Sequence, residues 1–440
     1  MHHNYPDPWA GAAWIGAPPA VLDRGAPQLR CEFTLAGPVA RAVWRLCGLG
    51  YHEPWCNGRR VGDHVLDPAQ TDYEQRCLFV PHEVTDLLHA GPNALGVVLG
   101  NGWYHQDRVW AEGGLSYGLP RLIAALHVTL RDGSSYTLVT DDTWRCAAGP
   151  ITDNNIYAGE HYDARLETPG WTESGFDDAR WPAVRLESAP GGRLEPQVLP
   201  PMRRTQRLTP RAIRRSDDGA YLVDLGQNFA GWTELRVIGQ RGDTIQLRFA
   251  ETLDDEGRLD TASTGVFATG VEQIDRYTCR GGGEERWEPR FTYHGFRYVE
   301  VTGWPGDLTA EAITGTDLHT DLTPAGEFEC SDERLNRLHH MARWSLRSNI
   351  HGLPEDCPAR ERCGWLGDAN VVTEMALWNY DAAAFWRKYL DDIETTRARF
   401  GGLPAAIAPG KRTCGAPANP DWAAAFILLP WYLYLHTADV

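Results

Sequence analysis

The spacing of apolar residues divides the chain into a long strand-like part and a shorter helical part. From Leu29 onward apolar and polar positions alternate, as they do over residues 31–35, 42–46 and 221–237. A period of two is typical of half-buried β-strands. The continuous apolar run at 94–99 is typical of a strand buried on both faces. The pattern therefore predicts two antiparallel β regions within the first 325 residues.

Helical spacing replaces this alternation near residue 326. Asp332 stands at a predicted helix start, and Leu335, Leu338 and Ala342 then fall on one face of that helix. A later helix is predicted to begin with Asp381 as its cap. The helices predicted after the first one cover residues 369–378, 382–400 and 421–435. About four helices can therefore be identified.

These changes of period, together with the linker-like Pro200-Pro201, divide the chain into four segments. They are a predicted N-terminal arm over residues 1–25, an N-terminal β-sandwich domain over 26–200, a second β-sandwich domain over 201–325 and a helical domain over 326–440.

Composition narrows the class of protein further. The 440 residues include 18 tryptophans and 42% apolar residues, enough for a large core, but no apolar run long enough to span a membrane. The formal charge of −17 argues against nucleic acid or an anionic membrane as a partner. No secretory signal is visible and the ten cysteines are scattered, so we expect a cytoplasmic protein. No nucleotide-binding or metal motif is recognised, so no cofactor is expected.

One loop, residues 354–368 (PEDCPARERCGWLGD), concentrates the candidate chemistry. Its prolines and glycines oppose a continuous helix, so an ordered loop between helices is predicted. Carboxylic acids beside an indole are a usual set for glycoside hydrolysis. One acid protonates the leaving oxygen, others bind hydroxyls or activate water, and the ring covers an apolar sugar face. The loop is therefore the candidate active site.

Each charged residue of the loop also has a purely structural interpretation. Asp368 could cap a helix, Asp356 could form an Asx-turn, and Glu361 between two arginines could belong to a solvated ion-pair cluster. Cys357 and Cys363 do not have the spacing of a zinc site, so no metal site is predicted. Taken together at this spacing, the residues favour the functional interpretation.

The loop sequence DCPARERCGWLGD resembles the signature of the bacterial α-L-rhamnosidases. The resemblance implies an inverting glycoside hydrolase that releases terminal α-L-rhamnose from rhamnosides in an (α/α)6 barrel. It implies that Glu361 is the general acid and that Asp356 and Asp368 bind the sugar hydroxyls. It also implies that Arg360 and Trp365 line the pocket.

Other stretches resemble the same family. Asn57-Gly58, residues 71–73 (TDY) and residues 99–104 (LGNGWY) are similar to its N-terminal β domain. The resemblance implies two antiparallel, jelly-roll-like β-sandwich domains, the first of galactose-binding type, followed by the first part of an (α/α)6 barrel. Trp103 and Tyr104 are expected to pack at an interface between domains.

The chain departs from the family in its helical part. About four helices are recognisable where such a barrel needs about twelve, and no position matches the family's general base. We therefore expect a fragment, a truncated product, or a barrel completed by a second chain or another copy. Asp421 precedes Trp422 at a helix start, where both could contact substrate, and Asp421 is not expected to be the base. The expected partner is a rhamnose-containing glycoside. The alternative is a non-catalytic carbohydrate-binding or scaffolding protein.

We expect the 440-residue chain to be inactive or very weak as a rhamnosidase on its own, because no base is found and apolar residues near 426–431 would lack partners. Turnover of an aryl α-L-rhamnoside by the purified protein checks this. Substantial turnover that Glu361→Gln abolishes would contradict it. Binding of a rhamnoside without cleavage, unchanged by Glu361→Gln, would favour the non-catalytic alternative.

Overall fold

The structure is a computed structural model that describes residues 9–106, 108, 115–262, 271–411 and 417–438. Over these residues the chain forms three large β-sheets followed by a group of helices. None of the described helices is both long enough and apolar enough to cross a membrane.

The first two sheets share one apolar core. Leu46 and Leu126 of the first sheet and Leu29 and Val97 of the second are buried in the same cluster. Alternation along each strand places one face in this core. The first sheet consists of Arg185–Glu187, Trp14–Gly16, Arg121–Leu130, Val39–Leu49, Arg76–Glu83 and Arg193–Pro196, with Ser135–Val139 beside Arg121–Leu130. The second consists of Arg145–Ala148, Pro27–Leu35, Gly91–Gly100, Tyr51–Cys56 and Arg59–Arg60.

The third sheet is built around one long strand, Tyr221–Ile238, which pairs with four neighbours. A Cβ atom at Gly231 of this strand would lie 1.9 Å from the carbonyl oxygen of Thr316, so a glycine is required where the two strands approach. The other strands of the sheet are Ile151–Asn155, Gly159–Asp163, Ile274–Thr278, Thr244–Ala250, His294–Thr302, Ile313–Thr320, Met202–Leu208, Ala212–Arg215 and Glu284–Trp287. A separate small ladder joins Thr252–Leu253 to Leu259–Asp260.

Strand pairing does not follow the predicted segment limits. Ile151–Asn155 and Gly159–Asp163 precede residue 200 but join the third sheet, where Gly159–Asp163 runs parallel to Ile274–Thr278. Trp14–Gly16, inside the predicted arm, is a strand of the first sheet, and its Ile15 is fully buried. Local alternation predicts a strand but not its partner, which explains both differences.

The long helices begin and end close to the predicted residues, whereas a short helix inside the predicted arm was not expected and the last predicted helix is divided in two. The helices are α1 (Pro19–Leu22), α2 (Glu333–Arg347), α3 (Leu366–Asn379), α4 (Ala383–Arg397), α5 (Pro420–Ala423) and α6 (Ala425–Thr437), with 3-10 turns at Thr85–Leu87, Ala164–Leu166 and Ala398–Phe400. Asp332 caps α2 by accepting a hydrogen bond from the backbone N–H of Arg334 at 2.9 Å. The prediction that Asp381 caps α4 is wrong, because the cap position is Ala382.

The helices α3, α4 and α6 pack around a common apolar cluster. Phe385, Tyr389 and Ile393 of α4 are buried in it, as the helical spacing predicts. By contrast, Leu335 and Leu338 of α2 are 49% and 60% exposed. Their shared face is therefore not a buried face in this structure.

The apolar helix α6 is partly covered. Ile427 and Trp431 are 73% and 52% exposed, in line with the expectation that they lack partners. The same expectation is wrong for Leu429, which is fully buried. The reason is that α6 packs against both α3 and α4, so one of its faces is buried between them.

A buried lysine of α4 forms hydrogen bonds with the β part of the chain and with the segment before the candidate loop. Lys388 of α4 is 1% exposed, and its Nζ donates hydrogen bonds to the carbonyl oxygens of Gln70 and, at 2.9 Å, Gly352. It also pairs with Asp392 at 2.6 Å. Burial raises the pKa of Asp392 to about 6, although the lysine ammonium opposes this. Because Gly352 precedes the candidate loop, Lys388 fixes the point where that loop begins.

Lys388→Met should lower the free energy of unfolding by about 3–5 kcal/mol at pH 7.5, because it removes the closer of two cations that face the buried Asp392 carboxylate and leaves Arg76 at 3.5 Å. Urea unfolding followed by far-UV circular dichroism measures the change. The control is Arg258→Met, which removes an ion pair with Asp254 whose arginine is 73% exposed. Its effect should stay below about 1 kcal/mol. Equal losses in the two variants would contradict the prediction.

Candidate active site

The candidate loop, residues 354–368, connects α2 to α3. Its last residues form backbone hydrogen bonds with residues 406–408. The N–H of Leu366 donates to the carbonyl oxygen of Ala406 at 2.8 Å, and the N–H of Ala408 donates to that of Gly364 at 2.9 Å. A Cβ atom at Gly364 would lie 1.9 Å from the carbonyl oxygen of Ala408. The pairing therefore requires glycine at this position.

Glu361, the predicted general acid, is buried and only 5% exposed. Its Oε2 accepts a hydrogen bond from Nε1 of Trp365 at 2.8 Å, and its Oε1 lies 3.0 Å from Nη2 of Arg360. Its backbone carbonyl accepts a hydrogen bond from the hydroxyl of Tyr157 at 2.6 Å. The carboxyl group is therefore held in a fixed orientation away from bulk water.

Asp356 lies beside Glu361. Carboxylate oxygens of the two residues and Sγ of Cys363 lie within 4.8 Å of one another. Asp356 accepts hydrogen bonds from the N–H of Cys363 at 2.9 Å and from the thiol of Cys357 at 2.8 Å. Burial raises the pKa of Asp356 to about 6, and the negative charges of Glu361 and Glu355 add to the rise. Asp356 therefore changes charge near pH 6 instead of near pH 4.

Asp368 is the third residue of α3 and not its cap. The cap position is Trp365, which makes no side-chain capping bond. Burial raises the pKa of Asp368, and the charge on Glu361 contributes to the rise. The structure therefore brings Asp368 into the electrostatic surroundings of the other loop carboxylates.

The two arginines of the loop have different surroundings. Arg360 is partly exposed and pairs with Glu361. Arg362 is fully buried, and it donates from Nε to the carbonyl oxygen of Pro358 at 2.7 Å and from Nη2 to Oε1 of Gln273 at 3.1 Å. Its backbone φ is +51°, a left-handed conformation that costs a non-glycine residue about 1–3 kcal/mol. These hydrogen bonds offset that cost.

Two tryptophans lie at the start of α3. Trp365 directly precedes the helix and donates to Glu361. Trp422 of α5 lies against Gly367, where a Cβ atom would come within 2.6 Å of its Cε2. The indole Nε1 of Trp422 is buried without a hydrogen-bond partner among the described residues. The predicted contact residue Trp422 therefore adjoins the chain directly before Asp368.

Several supporting residues were missed by the sequence reasoning. The hydroxyl of Tyr293 donates to the carboxylate of Glu355, and Gln273 donates from Nε2 to the carbonyl oxygen of Ala359. The hydroxyl of Tyr157 donates to the backbone carbonyl oxygen of Glu361. All three supporting side chains precede the loop by more than 60 residues, and no local pattern indicates which loop atoms they contact.

Trp103 supports the loop indirectly, because it packs against Tyr157. Its ring lies edge-on to that of Tyr157, with centroids 5.6 Å apart. Trp103 and Tyr104 are 3% and 1% exposed. This burial agrees with the packing role expected for them between the β regions.

The structural interpretations of the loop residues do not account for these contacts. Glu361 is buried and so is not part of a solvated cluster, and the N–H that Asp356 binds is seven residues ahead instead of two. Asp356, Glu361 and Cys363 also form a group close enough to hold a metal ion. However, Glu361 already pairs with Arg360, and the Cys363 thiol donates to a backbone carbonyl at 3.1 Å. The set therefore fits proton chemistry better than metal binding.

Comparison with known proteins gives three consecutive family matches. Residues 37–206 match the α-L-rhamnosidase N-terminal domain, and residues 214–319 match the bacterial α-L-rhamnosidase concanavalin-like domain. Residues 323–440 match the bacterial α-L-rhamnosidase 6 hairpin glycosidase domain. The candidate loop lies in the third match, and both β regions lie in the first two.

Individual relatives agree with these matches. An α-L-rhamnosidase from Formosa agariphila is 41% identical over 429 residues, which cover 94% of this chain and 45% of the relative. The crystal structure of Streptomyces avermitilis α-L-rhamnosidase complexed with L-rhamnose superposes with a TM-score of 0.89 at 39% identity, over 94% of this chain and 40% of that one. The crystal structure of native α-L-rhamnosidase from Aspergillus terreus superposes with a TM-score of 0.92 at 34% identity, over 99% of this chain and 51% of that one.

The chain thus spans about half the length of the relatives it matches, or somewhat less. Within that span the sheet-rich region, the start of the 6-hairpin glycosidase domain and the carboxylate loop are all present. The chain belongs to the bacterial α-L-rhamnosidase family.

Proposed function

We propose that the candidate loop binds the terminal α-L-rhamnosyl unit of a rhamnoside and that Glu361 donates a proton to the glycosidic oxygen. The observation that carries this proposal is the buried Glu361 carboxyl group, oriented by Trp365 and within 4.8 Å of the Asp356 carboxylate. The rhamnosidase activity named for the relatives supports the choice of sugar.

In this proposal Asp356 and Asp368 bind hydroxyl groups of the rhamnose. Ionised carboxylates accept hydrogen bonds from hydroxyls, and a group with a pKa of about 6, as for Asp356, is mostly ionised at pH 7. The N–H of Trp365 is bound to Glu361, which leaves the faces of its ring for an apolar sugar face. Arg360 and Trp422 complete the surroundings of the bound unit.

We further propose that the reaction inverts the anomeric configuration. An inverting pair is separated by about 6.5–9.5 Å so that water fits between the acid and the base. Asp356 is too close to Glu361 for that role. The base is therefore proposed to come from outside the residues described here, in the same chain, a second chain or another copy. The helices α2 to α6 would then form the first part of an (α/α)6 barrel, after two jelly-roll-like sandwiches.

Glu361→Gln should reduce whatever aryl α-L-rhamnoside turnover the protein shows by about 10²–10⁴-fold, because glutamine cannot donate the proton to the leaving oxygen. Glutamine keeps the acceptor for Trp365, so L-rhamnose binding should persist. Turnover is followed by release of the aryl group, and binding by ligand-observed saturation-transfer NMR. Proton NMR of the first anomer released reports whether the configuration inverts.

The matched control is Glu394→Gln, which removes a glutamate of α4 that is 55% exposed and pairs with Arg397. It should leave both turnover and binding unchanged. Where the parent protein shows turnover above background, the proposal fails if Glu361→Gln retains that turnover. It also fails if the double variant Asp356→Asn/Asp368→Asn binds L-rhamnose as well as the parent.

Asp356→Asn should stabilise the protein at pH 7.5 but not at pH 4. The pKa of Asp356 lies near its ordinary 3.8 in the unfolded chain and at about 6 in the folded protein, so the folded state binds more protons between these values. Stability is therefore lost as pH rises through this window. Removing the charge should recover about 1–3 kcal/mol above pH 6.

Urea unfolding of the Asp356→Asn variant at pH 4 and pH 7.5 tests this expectation. The control is Asp217→Asn, at an exposed position, for which little change is expected at either pH. If Asp356→Asn destabilises the protein at pH 7.5, the carboxylate contributes to folding and is not held in place at a cost for the sake of binding.

A further inference from the structure

A pocket of about 330 Å³ lies in the crevice between the second and third sheets. Glu53, Trp55 and Arg60 of the second sheet form one wall, and Trp287 and Arg290 lie on the wall formed by the third-sheet side. Every described residue that lines the pocket comes from the β regions and none from the carboxylate loop. The pocket is therefore separate from the candidate active site.

Aromatic rings supply the apolar surface of this pocket. Trp55 is half-buried, and Tyr162 and Trp287 are buried with ring centroids 6.3 Å apart. Aromatic rings cover the apolar C–H faces of sugar rings and add little flexibility of their own. A planar aromatic wall beside fixed polar groups is a usual arrangement for binding a small polar ring.

A buried carboxylate organises the polar side of the pocket. Glu53 is 7% exposed and accepts hydrogen bonds from Nε1 of Trp55 at 3.0 Å and Nε of Arg60 at 2.9 Å. Arg290 pairs with it at 3.0 Å and also lies 6.0 Å from the ring of Trp55. These mutual contacts fix the tryptophan and both guanidinium groups before any ligand arrives, which lowers the entropic cost of binding.

Four arginines line the pocket against three glutamates, Glu53, Glu234 and Glu288. Arg60 and Arg290 share the single carboxylate of Glu53. Arg286 lines the pocket and is 64% exposed, and it lies 3.4 Å from Glu284, a carboxylate that Arg236 also pairs with at 2.7 Å. This local positive surplus occurs in a chain whose formal charge is −17. The pocket is therefore suited to a ligand with a negative group.

We propose that this pocket binds a saccharide unit that carries a carboxylate. The ring would lie against Trp55, the hydroxyls would bind the fixed donors and acceptors around Glu53, and the carboxylate would pair with Arg286. The volume is at the lower end of the range of about 300–1,000 Å³ for ligand pockets, which suits a single sugar unit. The proposal does not depend on hydrolysis by the carboxylate loop.

Saturation-transfer NMR at low salt, with D-glucuronate, D-glucose and acetate as probes, tests the proposal on the full chain. D-glucuronate should bind, D-glucose should bind more weakly, and acetate should not compete at equal concentration. Arg286→Gln should weaken D-glucuronate binding measurably, by up to about fivefold, without changing D-glucose binding, since a rim ion pair is worth up to about 1 kcal/mol. Trp55→Ala should abolish the signal of both sugars.

Three controls keep the result interpretable. Arg258→Gln removes an arginine that is 73% exposed and is not among the lining residues, and it should leave binding unchanged. Trp378→Ala removes a tryptophan of α3 that is 69% exposed, and should also have no effect. Asp368→Asn alters only the carboxylate loop, so D-glucuronate binding should persist.

Several results would overturn the proposal. D-glucuronate binding that survives both Trp55→Ala and Arg286→Gln would place the sugar elsewhere. Loss of binding in Asp368→Asn would assign it to the candidate active site. Acetate binding equal to that of D-glucuronate would show an unspecific anion contact. If Trp55→Ala does not fold by far-UV circular dichroism, the exposed Arg286→Gln variant decides the outcome.

Discussion

The shape of the carboxylate loop depends on one buried guanidinium group. Arg362 sits in a left-handed backbone conformation and bonds to a carbonyl of the loop itself and to Gln273 of the β part. Its guanidinium also lies 5.3 Å and 4.6 Å from the ring centroids of Tyr157 and Tyr293. A buried charge without such partners is strongly destabilising. Because Gln273, Tyr157 and Tyr293 adjoin strands of the third sheet, the β part is a structural component of the site.

The same arrangement explains how acidic groups are kept close together. Arg362 donates to carbonyl and amide oxygens, and Arg360 is the loop arginine that pairs with Glu361. Burial then raises the pKa values of Asp356 and Asp368, and charge repulsion from Glu361 adds to it. A site that holds polar groups in place for a ligand commonly gives up some stability for that purpose. The carboxylates of this loop fit that description.

The sequence alone could identify the loop because its charged residues lie within thirteen positions of one another. It could also identify the buried side of α4, since Phe385, Tyr389 and Ile393 follow helical spacing. It could not identify Tyr157, whose contact with the loop spans 204 residues. The burial of Leu429 was missed for a related reason, because a uniformly apolar helix gives no sign of which face finds a partner. Contacts between distant segments therefore account for most of what local pattern left open.

The pairing of residues 151–163 with the third sheet has a consequence for how such proteins can be reassembled in evolution. Pro200-Pro201 resembles a linker, but a recombination point there would pair Gly159–Asp163 of one parent with Ile274–Thr278 of another. The third sheet of each product would then contain cross-strand side-chain pairs that did not evolve together. Recombination that takes both β regions from one parent avoids this mismatch and keeps the carboxylate loop on the sheet that it contacts.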